Sequence, residues 1–216
     1  MTTPKAFIFD LDGVLTDTAE FHYRAWKRLA DENGLPFNRE DNDQLRGVDR
    51  RESLIRLLKG KVVSPEQFDA WLALKNEYYL GFLTGLSPSD LLPGVHDFLT
   101  QARTQGIKLG VASASKNARD VISRLGIEAL IDALGDGYSV SNPKPAPDLF
   151  VWVAGALHTS PADSVVFEDS EAGVDAALSA GMKAVGIGPQ DRVGRANIVI
   201  PGFKDITVAS ILSGLN

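Results

Sequence analysis

Asp10 and Asp12 stand one residue apart and are followed at once by Gly13, at the end of the apolar run Ala6-Phe7-Ile8-Phe9. An unbroken apolar run of this kind reads as a strand buried on both faces of a parallel sheet. Strand side chains alternate with a period of two, so the two carboxylates project to one side where the strand stops. In open α/β sheets that crevice, beyond the carboxyl ends of the strands, is where ligands bind. Two carboxylates without a neighbouring cation are costly there unless a turn, a metal or a substrate uses them. An Asx turn is the simple use. A hard cation shared with a phosphate is the chemical one.

Three further stretches carry matching chemistry. Ser113-Ala114-Ser115-Lys116-Asn117 leads into a helical pattern. It offers hydroxyls, backbone N–H groups and a favourable dipole to a phosphate, or more simply an N-cap at Ser115. Lys144 stands between two prolines, where an ammonium is either solvated or a compact charge for an anion. Glu168-Asp169 follows Val165-Val166-Phe167, as an acidic helix start or as oxygen ligands. Jointly, Asp10, Asp12, Glu168 and Asp169 suit a hard cation such as Mg²⁺, with Ser113 and Lys144 for anionic oxygens. That set fits phosphoryl transfer, in which positioning and charge neutralisation do most of the catalysis. One aspartate can accept a phosphoryl group covalently, and a second can act as general acid and base.

The elements that must position these groups follow from periodicity. Residues 18–33 carry Phe21, Ala25, Trp26, Leu29 and Ala30 at helical spacing, with Asp17 or Thr18 as cap and Gly34-Leu35-Pro36 as stop. A polar, acidic stretch follows, then a short helical pattern over 51–58. Ser64-Pro65-Glu66 opens another helix through Trp71, Leu74, Tyr78 and Leu80. No strand pattern occurs between 18 and 82. From Pro93-Gly94 the pattern alternates: helices over 95–105, 116–125, 148–157 and up to Ala180, and strands over 107–111, 131–134, 164–167, 183–187 and 198–200. This is an α/β chain with a doubly wound parallel sheet, a Rossmann-like core interrupted by an inserted helical cap. The expected division is 1–15 and 92–216 for the core and 16–91 for the cap, with hinges near 15–18 and 87–92. Phe21, Trp26, Trp71 and Tyr78 are expected in the cap interior, and His96 and His158 as packed helix residues.

Composition narrows the function classes. The chain has 216 residues, 44% apolar and 23% charged, with a net charge of −6. This acidic balance argues against nucleic acid and anionic membrane as partners. It has no cysteine, hence no disulfide framework and no thiolate chemistry. The start, Met1-Thr2-Thr3-Pro4-Lys5, shows no signal-peptide pattern, and the expected location is the cytoplasm.

F-D-L-D-G-V-L-T-D-T, S-A-S, Lys144-Pro145-Ala146-Pro147-Asp148 and E-D-S-x-x-G resemble, in order, the four motifs of the haloacid dehalogenase superfamily. The resemblance covers essentially the whole chain. It implies a covalent aspartyl-phosphate on Asp10, with Asp12 as acid/base and as a backbone carbonyl ligand of Mg²⁺. Ser113 and Lys144 would bind the transferring phosphoryl group, and Glu168 and Asp169 would complete the metal site. Asp12 argues for phosphotransferase or phosphatase chemistry and against the dehalogenase branch.

The segments around Thr16–Trp26, Leu45–Ser53, Lys75-Asn76 and Ser113–Asn117 are similar to the β-phosphoglucomutase family within that superfamily. That similarity implies a second phosphate site, with Arg50 from the cap and Ser115, Lys116 and Asn117 from the core. Ala114 lies in the same substrate-binding loop. Gly47, Val48 and Ser53 would line the sugar, and Lys75 would reach it from the next helix. Thr18 and His22 would position the hinge and the acid/base. The implied reaction interconverts β-glucose 1-phosphate and glucose 6-phosphate through β-glucose 1,6-bisphosphate, which serves as activator and intermediate. A sugar-phosphate phosphatase on the same core is the alternative. The partner expected is a small phosphorylated sugar, and the protein is expected to be a monomer.

Overall fold

The computed structural model describes residues 4–215. The outermost ends of the expected core, residues 1–3 and 216, lie outside the described residues, as does most of the N-terminal segment read for a leader.

The chain opens with β1 (Ala6–Phe9) and then enters four helices, α1 (Thr18–Glu32), α2 (Arg39–Asp43), α3 (Arg50–Leu58) and α4 (Pro65–Leu83). It continues as α5 (Val95–Thr104), β2 (Lys108–Ala112), α6 (Ala118–Arg124), β3 (Ala133–Gly135) and α7 (Asp148–Ala156). The last third comprises β4 (Ser164–Glu168), α8 (Glu171–Ser179), β5 (Lys183–Ile187), α9 (Gln190–Val193), β6 (Ile198–Ile200) and α10 (Val208–Gly214). Among the described residues the sheet has six strands in the order β3-β2-β1-β4-β5-β6, and every pairing is parallel. The chain steps from β1 outward to β3 and returns across β1 to β4, which leaves a switch point at β1.

Alternation along β1 explains the layering. Phe7 and Phe9 point to one face with Phe98, Phe167 and Phe203, and Phe9 stacks on Phe167 at 4.7 Å. Ala6 and Ile8 point to the other face, against Phe150 and Val153 of α7. Each fully buried phenylalanine contributes roughly 1.5–3 kcal/mol. A third apolar cluster lies among the four helices after β1 and includes Trp26, Leu29, Phe37, Leu54, Leu57 and Trp71. The two chain crossings run side by side: Leu92 N donates to Leu15 O at 2.9 Å and Thr16 Oγ1 to Asp90 O at 2.8 Å. No helix among the described residues is long and apolar enough to cross a membrane.

Several expectations need correction. Neither Asp17 nor Thr18 caps α1 through its side chain; the Thr18 hydroxyl goes to Asp12 instead. The acidic stretch contains a short helix, α2, closed at its start by a reciprocal Asn38–Asp41 capping box. Helix α3 starts at Arg50, capped by Asp49, whose carboxylate accepts from Arg51 N and Glu52 N. Helix α6 begins at Ala118 rather than 116, because the Ser113 and Ser115 hydroxyls accept from Ser115 N and Asn117 N and hold a turn there. The third strand falls on 133–135 rather than 131–134. His96 and His158 are exposed, and Phe21 packs beside the sheet cluster rather than the cluster within the helices.

Candidate active site

Asp10 continues β1 by one residue, its N–H donating to Phe167 O at 2.9 Å. This carries its carboxylate to the carboxyl edge of the sheet, between the ends of β2 and β4. Lys144 reaches the same point from the loop before α7. Its Nζ donates to Asp10 Oδ1 at 2.6 Å, Glu168 Oε2 at 2.8 Å and Ala112 O at 3.1 Å. Three acceptors use all three ammonium hydrogens. Burial opposes the charge on Lys144, but Asp10 and Glu168 outweigh it and hold the proton more firmly than usual.

The acidic cluster is crowded. Carboxylate oxygens of Asp10, Glu168 and Asp169 all lie within 4.8 Å of one another, and all three residues are buried. Burial raises Asp10 well above the ordinary carboxylate range, against the pull of Lys144. Burial and the Glu168 charge push Asp169 up to about 7, with Arg46 and Arg192 acting in the opposite sense. Glu168 Oε1 is taken by Asp169 N, Ser170 N and Ser170 Oγ, which leaves Oε2 turned to Lys144 and Asp10. A convergent set of carboxylate oxygens fits a small hard cation of the Mg²⁺ kind. Gly13 makes the closeness feasible: at φ +90°, a Cβ there would stand 2.4 Å from Asp169 Oδ2.

Asp12 lies on the other side of this edge, partly buried. The Thr18 hydroxyl donates to Asp12 Oδ1, and His22 Nε2 is 3.7 Å from the same oxygen. Burial raises Asp12 above the usual carboxylate range, while the Thr18 hydrogen bond and the charges of Lys75 and Lys144 pull it back. Lys75 Nζ stands 2.6 Å from His22 Nδ1. Burial, Lys75 and Arg50 hold His22 well below its ordinary value. An ammonium on Lys75 can only donate, so Nδ1 is the acceptor in this contact and Nε2 is left facing Asp12.

A cavity opens between the sheet edge and the helices, walled on the core side by Asp10, Asp12, Ala114, Ser115 and Lys116. On the helical side it is walled by His22, Gly47, Val48, Arg50, Ser53 and Lys75. Half-buried Arg50 is the first residue of α3. Among the described residues neither it nor Lys116 has a carboxylate partner; Lys116 Nζ lies over the Tyr138 ring at 4.7 Å. Gly47 adopts φ +73°, and a Cβ there would meet Ser170 Oγ at 2.4 Å, so the helical loop rests directly on the core.

Three expected residues also spend polar groups on the protein itself. Ser53 is buried and its hydroxyl donates to Asp49 O. Ser113 is buried behind the loop, where its Oγ accepts from Ser115 N. Asn117 Nδ2 donates to Asn76 Oδ1 at 2.9 Å across the core–helix boundary. Arg46 was not anticipated. It reaches from the loop before Gly47 to Asp169 Oδ2 at 2.9 Å, and Arg192 Nε donates to Asp169 O at 2.7 Å. The sequence signal for Arg46 is its place in the R-G-V-x-R segment, Arg46 to Arg50, of an otherwise acidic stretch, where the distal-phosphate role falls on Arg50.

The model of the haloacid dehalogenase-like hydrolases matches residues 4–181. The chain belongs to the haloacid dehalogenase-like hydrolase family. Within that family it is similar to the beta-phosphoglucomutase of Bacillus subtilis (strain 168), with 41% identity over 209 residues that span 94% of this chain and 92% of the relative. A phosphorylated carbohydrates phosphatase of Thermotoga maritima is 32% identical over 183 residues, spanning 84% and 83%. Among solved structures, the beta-phosphoglucomutase of Clostridium difficile superposes with a TM-score of 0.95 at 37% identity, covering 99% of this chain and 98% of that one.

Proposed function

We propose that the chain is a β-phosphoglucomutase, an Mg²⁺-dependent intramolecular phosphotransferase that interconverts β-glucose 1-phosphate and glucose 6-phosphate. The observation that carries this beyond a generic phosphatase is the pair of cations without carboxylate partners, Arg50 and Lys116, on the same cavity as Asp10 and Asp12. A bisphosphorylated sugar carries charge at both ends and needs cations at both. In the proposed organisation, residues 1–15 and 92–216 form the core and 16–91 the specificity cap.

Asp10, Glu168 and Asp169, with the Asp12 carbonyl, would hold Mg²⁺, and its charge would offset the repulsion between this acidic cluster and a phosphate. Asp10 attacks phosphorus, the bond from phosphorus to the sugar oxygen breaks, and that oxygen takes the proton from Asp12. In the return direction Asp12 removes a proton from the accepting sugar hydroxyl as that oxygen attacks the phosphoryl group on Asp10, and the bond from phosphorus to the Asp10 oxygen breaks to free the carboxylate. Lys144, with Ser113 and Ala114 of the adjoining loop, neutralises and seats the transferring group. Arg50, Ser115, Lys116 and Asn117 hold the other phosphate; Gly47, Val48, Ser53 and Lys75 contact the sugar. Thr18 and His22 orient Asp12.

The intermediate is β-glucose 1,6-bisphosphate, which turns over between the two phosphate sites and also primes Asp10. Closure of the cap over this cavity excludes water, without which the phosphoenzyme would be hydrolysed. The reading includes a monomer acting in the cytoplasm on a small phosphorylated sugar.

A sugar-phosphate phosphatase is the second reading, favoured by the similarity to the Thermotoga maritima phosphatase. Anomer-resolved product analysis separates them. With Mg²⁺ and a trace of bisphosphate, the mutase converts the β anomer to glucose 6-phosphate and leaves the α anomer untouched. Stoichiometric inorganic phosphate, or equal use of both anomers, contradicts it.

A further inference from the structure

Tyr79 is fully buried on α4, one turn beyond Lys75. Its ring stacks on His22, with centroids 4.1 Å apart and 26° between the planes. The Lys75 ammonium stands 5.0 Å from the centroid of the same ring. The hydroxyl is different in kind from these contacts. Tyr79 Oη is the one buried side-chain polar atom among the described residues that has no hydrogen-bond partner. The Thr18 and Ser115 hydroxyls act on it only as weak partners outside ordinary bonding geometry, and the charges of Asp12 and Arg50 are felt there.

A buried hydroxyl left unpaired is a cost to folding, which a phenylalanine at this position would avoid while keeping the stack on His22. The surroundings of Oη supply complementary partners. The Thr18 hydroxyl spends its hydrogen on Asp12 and keeps lone pairs free. The Ser115 oxygen accepts from Asn117 N at 3.2 Å and keeps its own hydrogen. Oη can therefore donate to the Thr18 oxygen, while the Ser115 hydrogen remains for the phosphate that Ser115 is proposed to hold. Tyr79 belongs to α4 and Thr18 opens α1, so the contact joins two helices on the helical side of the cavity. Burial, reinforced by the charge of Asp12, raises the phenol far above its ordinary range and keeps it a neutral donor.

We infer that Tyr79 is a positioning residue for phosphoryl transfer: in the loaded site Oη donates to the Thr18 oxygen and fixes the hydroxyl that orients Asp12. The inference rests on the proposed role of Asp12 as acid/base. It gives the orphan hydroxyl a use at the moment the sugar oxygen needs a proton.

The test is Tyr79→Phe, compared with wild type in three measurements: melting temperature, turnover of β-glucose 1-phosphate, and phosphorylation of Asp10 by acetyl phosphate. Acetate leaves without a proton, so the last reaction does not need Asp12 as acid. The expected result is an unchanged or raised melting temperature, a loss of about tenfold or more in kcat on the sugar phosphate with KM little altered, and unchanged phosphorylation by acetyl phosphate. Wild-type kcat on the sugar phosphate overturns the inference. So does a fall in melting temperature with equal losses in both reactions, since that marks a structural residue. If the wild type releases phosphate instead of isomerising the sugar, the mutase reading fails, and the same ratio taken on phosphate release still decides Tyr79.

Discussion

Lys75 Nζ lies 2.6 Å from His22 Nδ1, and no carboxylate comes within ion-pair distance of this buried ammonium among the described residues. Burial, and then Arg50, hold Lys75 well below its ordinary value. A buried cation supported by an imidazole, by the rings of Trp26 and Tyr79 and by the more distant charge of Asp12 is a cost to the fold. Lys75→Met should therefore raise the melting temperature, by ~3 °C for about 1 kcal/mol, while sugar-phosphate turnover falls by about a hundredfold. A destabilised variant with full turnover would show that the lysine serves packing alone.

Arg50 opens α3 and faces the cavity without a carboxylate partner. Its proposed work is to hold the phosphate that is not being transferred. Arg50→Ala should lower kcat/KM for β-glucose 1-phosphate by about a hundredfold, the worth of a lost charge-assisted contact. Phosphorylation of Asp10 by acetyl phosphate should change little, because that donor has no distal phosphate. Equal losses in the two assays would remove Arg50 from that role.

Gly47 presses on Ser170, and that neighbour cannot yield. Ser170 Oγ donates to Glu168 Oε1 at 2.7 Å and accepts from Gly173 N at 3.1 Å, so it serves the acidic cluster and the start of α8 together. A Cβ at residue 47 would sit 2.4 Å from it at φ +73°. Gly47→Ala should lift the helical loop off the core, raising KM for the sugar phosphate several-fold with a stability loss of about 1 kcal/mol. Isothermal titration with a sugar phosphate and a melting curve check this; unaltered affinity would mean that the loop does not need the contact.

The acidic cluster makes metal binding visible as pH-dependent stability. The folded chain raises Asp169 from the ordinary value of 3.8 to about 7. Between those values the folded state holds a proton that the unfolded state has released, so metal-free stability falls as pH rises through this window. Mg²⁺ binds the deprotonated carboxylates and relieves their repulsion. The gain in melting temperature on adding Mg²⁺ should therefore be larger at pH 8 than at pH 6. A gain that is equal at both, or absent, would contradict a site built on Asp10, Glu168 and Asp169.

Much of this was legible in the residues because the signals were local. The apolar run before Asp10, and the acidic pair after Val165-Val166-Phe167, each fix a strand and its end by hydrophobicity alone. Ser64-Pro65 announced α4 through cap chemistry. The α1 start misled for a physical reason: Thr18 is a good capping residue, but its hydroxyl is drawn to Asp12, six residues back, across the turn at Gly13. Arg46, Tyr79 and the Asn76–Asn117 bond were hidden because each depends on which residues the helical insertion lays against the sheet edge. No local pattern encodes a contact across 123 residues such as Arg46 with Asp169.

In the proposed reaction a phosphoryl group on Asp10 passes to a sugar and not to water. Asp10 can be loaded with radiolabel from labelled acetyl phosphate in the presence of Mg²⁺, freed of excess donor, and mixed with unlabelled β-glucose 1-phosphate in a single turnover. The account predicts label in β-glucose 1,6-bisphosphate and then in glucose 6-phosphate, with an Asp10→Asn variant taking up none. Label recovered as inorganic phosphate at the rate seen without sugar would contradict it.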